Sequence, residues 1–170
     1  MDIAIAMAKI DPTYYYQCHS QTYDALMMLD GRPKPSLIEL HDAWADWLNG
    51  EAKTDALKKL EQRAELERLK YITAGDGKAM AYQQQLYEVR KWEGGETNAA
   101  MFPVANQLAI KLAVPVFSIL AMWQSNINAW LIVGGRIEAN LAKAKADLAA
   151  MSVNNLADLD NFVSGINWGA

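Results

Sequence analysis

Apolar positions recur along the chain with helical spacing, in blocks separated by turn residues. Met1 to Ile10 is apolar apart from Asp2 and Lys9 and predicts a short helix or strand packed on the domain. It lacks the basic flank and cleavage region of a secretory leader. Asp11-Pro12 ends it. Tyr14 to Cys18 is aromatic and β-prone. Tyr23 to Leu29 supplies a partner strand, with roughly three to five residues closing the hairpin, or Asp24 to Leu29 begins a helix instead.

The run Asp30-Gly31-Arg32-Pro33-Lys34-Pro35 is a breaker, and Ser36 with Glu39 fits a capping box. A helix is predicted from Leu37 to about Leu48, with Leu40, Trp44, Trp47 and Leu48 as its apolar stripe and Asn49-Gly50 as its stop. Another runs from about Thr54 to Thr73, laced by Asp55/Lys59 and Glu65/Arg68 pairs and broken at Gly75-Asp76-Gly77. Lys78 to Glu93 forms the next, stopped by Gly94-Gly95. Phe102-Pro103 opens a helix to about Ala113. Pro115 starts or kinks the longest, ending near Met151, and a short helix spans Asn155 to Val163.

These elements predict a mainly α protein: a helical bundle with one long helix in its C-terminal half and a small N-terminal β-hairpin. The chain divides into residues 1–50, holding the hairpin and the capped helix, and residues 51–170, the bundle. A helix of about 36 residues is roughly 55 Å long, longer than a compact domain of this size is wide. It must project, bend or pack against another chain. Gly134-Gly135 inside it marks a bend or a close crossing by another helix.

The segment Leu112 to Gly135 carries no charge and is long enough for a bilayer. Asn126 and Asn128 near its middle would be poorly placed in lipid, so no membrane span is expected. Val116, Leu120, Trp123, Ile127 and Trp130 form one face of this helix. That face is either the core of a monomer or an oligomer seam, because aromatic anchors are favoured at protein interfaces. The seam reading makes those five the candidate interface residues and the protein a homo-oligomer.

Composition narrows the chemistry. The 170 residues carry 16 basic and 20 acidic side chains, a net charge of −4, unlike the basic face of a nucleic-acid binder. Cys18 is the one cysteine and His19 and His41 the two histidines, so no thiolate metal site can form and little remains for acid–base work. Adjacent in a strand, Cys18 and His19 point to opposite faces and make a poor dyad. His41 is turned away from Asp42 and Asp46 on their helix. Asp158 and Asp160 lack the following ligands and glycine of a calcium loop. Gly75-Asp76-Gly77-Lys78 lacks phosphate-loop spacing. The expectation is therefore no catalytic residue, no metal and no cofactor.

Two stretches carry a resemblance. Tyr23-Asp24-Ala25-Leu26 through Lys34-Pro35-Ser36-Leu37-Ile38-Glu39-Leu40 to Ala43-Trp44 resembles a segment of small tail proteins of tailed bacteriophages, where Lys-Pro-(Ser/Thr)-x-x-Glu-Leu leads into an Ala-Trp helix. Tyr71-Ile72-Thr73-Ala74-Gly75-Asp76-Gly77-Lys78-Ala79-Met80-Ala81-Tyr82-Gln83, then Leu86, Trp92, Phe102-Pro103 and Trp130, is similar to a helical region of phage tail and tail-fibre-associated proteins. The likeness covers roughly residues 23–150. The apolar 112–135 segment and Gly134-Gly135 depart from its pattern. The resemblance implies a structural virion protein of the tail, collar or fibre apparatus, acting by helix-mediated assembly with other virion proteins. The alternative it leaves is a non-virion chaperone or assembly factor for tail or fibre proteins. The expected location is the virion, and the host cytoplasm during assembly.

Overall fold

The computed structural model describes residues 1–72 and 76–169 and, of Asp76, the backbone alone. The fold is mainly α with one two-stranded antiparallel hairpin. Two compact units share the chain: Met1–Gln62 with Leu141–Asn167, and Arg63–Asn140 with Trp168–Ala170. The division therefore does not fall at residue 50. The residues from Leu141 to Asn167 belong with the first helices, and those from Arg63 to Asn140 form a unit of their own.

In the first unit, α1 (Ile3–Ile10) starts where the Asp2 side chain accepts from the Ile5 amide, and it buries Ile3, Ala6 and Met7. The hairpin pairs β1 (Tyr16–Cys18) with β2 (Leu26–Met28), Tyr16 opposite Met28 and Cys18 opposite Leu26. Its connection, residues 19–25, is longer than the sequence suggests. Tyr23–Ala25 winds into a 3₁₀ turn instead of extending. Lys34 holds that turn, donating to the Tyr23 carbonyl at 2.5 Å and lying 3.8 Å from the centre of its ring.

Helix α2 (Leu37–Trp47) begins at the Ser36–Glu39 capping box, both halves of which form. It packs on α1 through Leu40, Ala43 and Trp44. Asn49-Gly50 does not stop it. Leu48–Ala52 forms a π-helical turn that carries the chain straight into α3 (Lys53–Arg68). The Asn49 side chain explains this. Its amide donates to the Val153 carbonyl at 3.2 Å and accepts from the Val153 amide at 3.1 Å. The same amide also donates to the Ala45 carbonyl at 3.0 Å, so the asparagine ties the end of α2 to the Val153 backbone while the chain keeps winding.

Of the two expected α3 pairs, Glu65–Arg68 forms at 3.0 Å and Asp55–Lys59 does not. Lys58 takes Asp55, and Lys59 takes Asp160 of α7 (Leu156–Gly165). α3 ends at Arg68, short of Thr73; Thr73 and Gly75 lie outside the described residues. α7 opens on a capping box of Asn155 and Asp158.

The second unit contains α4 (Asp76–Glu93), a 3₁₀ turn at Ala99–Met101 and α5 (Pro103–Leu112). It also holds the first part of α6 (Val116–Ala150), whose last turns belong to the first unit. Its core is Val89, Phe102, Ala105, Ala109, Ile119, Leu120 and Trp123. Phe102 meets Phe117 edge-on, the ring centres 6.3 Å apart. Ala113 takes the left-handed conformation, φ 54°, to end α5 before Pro115 opens α6. α6 continues through Gly134-Gly135 without interruption.

Candidate functional site

The long helix has two apolar faces. Val116, Leu120, Trp123, Ile127, Trp130, Gly134 and Ile137 alternate by four and three residues, which keeps them in one stripe. The structure turns this stripe into the second unit. Leu120 and Trp123 are buried in its core, Val116 and Ile127 pack against that core, and Trp130 is half-buried. All five residues expected at a seam are thus covered, wholly or in part, by their own chain.

The opposite face is the surprise. Phe117, Ala121, Met122, Ser125, Asn128, Leu131 and Ile132 are exposed, Leu131 to 63% and Ile132 to 65%. No charge interrupts it between Lys111 and Arg136. A helix buried on one side is expected to present charge on the other. By length and composition α6 could cross a membrane, and 17% of its most apolar window is buried. The serines and asparagines on the exposed face suit contact with protein better than with lipid.

Gly134 has a specific role. An ideal Cβ there would stand 3.0 Å from Cζ2 of Trp130, one turn earlier on the same helix. Trp130 lays its indole over the bare backbone of Gly134, so the glycine serves a side chain of its own helix and not a crossing one. A Cβ at Gly135 would meet nothing.

Beside Trp130 lies a cavity of about 550 Å³. It opens to solvent and is lined by Trp123, Ile127 and Trp130 of α6, Tyr82 and Gln85 of α4, and Tyr71 and Ile72. Asn126 adds a second carboxamide.

Sequence reasoning missed Glu88. Its carboxylate is fully buried, accepting from the amides of Val104 at 3.1 Å and Ala105 at 2.9 Å, and from Gln84 at 2.9 Å. It therefore caps α5 from another helix. The available signal was negative: Phe102 offers no capping side chain, so the α5 amides need an acceptor from elsewhere. Negative charge at a helix N-terminus also opposes the helix dipole favourably.

The other residues considered for chemistry are occupied or apart. Cys18 donates to the Ser20 carbonyl, and His19 is exposed. His41, Asp42 and Asp46 are exposed on α2, while Glu39 serves the Ser36 cap. Asp158 closes the α7 capping box and Asp160 pairs with Lys59. No group of three His, Cys, Asp or Glu that could hold a metal occurs among the described residues.

The strongest electrostatic perturbation lies at Arg32. It donates to Asp30 at 2.6 and 2.8 Å, to Asp11 at 3.0 Å and to the Thr13 carbonyl at 2.6 Å, and stacks 4.2 Å from the centre of the Tyr14 ring. Hydrogen bonds from Arg32 and from the Tyr15 amide hold the Asp30 carboxyl far below its ordinary range. Every partner is internal, so the cluster fastens α1 and the hairpin to the 30–32 turn. Neither a family model, nor a curated protein, nor a solved structure matches the chain.

Proposed function

We propose that the chain is a structural component of a tailed-phage virion, in the tail, collar or fibre apparatus, and that it assembles through the outer face of α6. The observation that carries this reading is the exposed, charge-free face of α6 formed by Phe117, Met122, Leu131, Ile132 and the small residues between them. An exposed apolar patch of this kind marks an interaction surface. The occupant we assign is a second copy of the chain. Two molecules of net charge −4 repel, and they approach best where neither presents a charge. Virion parts are built on rotational symmetry, which a self-pairing face serves. The resemblance of residues 23–150 to tail proteins supplies the setting.

Mass spectrometry of purified virions tests the setting. Stoichiometric presence supports a virion component. Presence in infected cells with absence from particles favours an assembly factor, and flotation of the purified protein with lipid vesicles would replace the protein partner by a membrane.

A further inference from the structure

We infer that the cavity of the Arg63–Asn140 unit is a binding site for an uncharged one- or two-ring aromatic group bearing a hydrogen-bond donor, of the indole or phenol type. The inference does not rest on assembly through α6. At about 550 Å³ the cavity has the size of a small-molecule site. Its described lining holds no Asp, Glu, Lys, Arg or His, so it offers a charged ligand no opposite charge in place of the hydration given up on the walls. Aromatic and aliphatic walls dominate. A flat ring matches them, because aromatic side chains pack face-offset or edge-to-face on such rings.

Two carboxamides supply the polar recognition. The side chains of Gln85 and Asn126 line the cavity, and their carbonyl oxygens can accept from an indole N–H or a phenol O–H. Gly134 shapes the wall. A glycine inside a helix is unfavourable against alanine, yet here it lets the Trp130 indole lie back along α6, where a Cβ would stand 3.0 Å from the ring.

Titrating 5-fluoroindole into the full chain, followed by fluorine NMR, tests the site. Saturable binding is expected with a Kd on the order of 0.1–1 mM for so small a ligand. Indole-3-acetate, the same ring with a carboxylate, should bind at least about ten-fold more weakly. Gly134→Ala should weaken 5-fluoroindole binding by a similar factor by displacing Trp130. Gln85→Leu, which leaves the helix intact, should also weaken it and decides the matter if Gly134→Ala unfolds. N-acetyltryptophanamide distinguishes sources: binding equal to that of 5-fluoroindole supports a ring carried on a polypeptide, and binding of 5-fluoroindole alone supports a free small molecule. No saturable binding of 5-fluoroindole, equal binding of the carboxylate, or wild-type affinity in a folded Gln85→Leu protein would overturn the inference.

Discussion

Glu88 shows how one side chain can decide a local structure. The buried Ala105 amide and two half-buried donors, the Val104 amide and the Gln84 side chain, converge on it. Removing it strips α5 of this cap and leaves the Ala105 amide unpaired in the core, where a buried unsatisfied group costs about 1–3 kcal/mol. Glu88→Ala should lower unfolding free energy in urea by about 2–4 kcal/mol, with α5 the first helix to lose hydrogen-exchange protection. Wild-type stability in that variant would show that α5 is capped otherwise. The Arg32 cluster gives a pH prediction. Asp30, Asp11, Glu39, Glu51 and Asp55 all have lowered pKa values, chiefly from hydrogen bonds received. Carboxyls more acidic in the folded state stabilise it above their unfolded pKa, and that stability drains as pH falls through their folded values. Melting temperature should therefore be insensitive to these groups between about pH 5 and 8 and fall below about pH 4. Arg32→Met should flatten the acid limb, since Asp30 then titrates nearer its unfolded value. An unchanged acid limb would contradict the assignment.

At the scale of elements, boundaries set by local chemistry were legible and those set by distant partners were not. Ser36-x-x-Glu39 announces the start of α2 because both capping bonds are made within four residues. Phe102-Pro103 and Pro115 announce α5 and α6 through the geometry of proline itself. By contrast, Asn49-Gly50 reads as a stop until Val153, far along the chain, engages the asparagine. Tyr23–Ala25 reads as strand until Lys34 stacks on its tyrosine. Glu88 reads as one more surface glutamate of a charged helix. Two substitutions probe the ends of helices. Ser36→Ala should lower stability by about 1 kcal/mol. Ala113→Gly should raise it by about 0.5–1 kcal/mol, because Ala113 sits at φ 54° where a Cβ is strained. Thermal melting checks both, and a sign reversal at Ala113 would mean that its methyl packs productively.

For the whole molecule, the sequence shows that α6 carries no charge on any side between Lys111 and Arg136, but not which face is buried. Both faces of residues 116–132 are uncharged. The tryptophans mark the inner one because large rings fill a core most effectively: Trp123 is buried, and Trp130 walls the cavity. Phe117, Met122, Leu131 and Ile132 are left outside. We therefore propose the side of α6 opposite the tryptophan stripe as the assembly surface. Multi-angle light scattering of the purified chain and of Ile132→Lys tests this directly. The wild type should run as a dimer or higher oligomer. The variant, whose exposed position tolerates a lysine, should be a folded monomer with wild-type helical content. A wild-type protein that stays monomeric at high concentration, or an Ile132→Lys protein that assembles as fully as the wild type, would contradict the account.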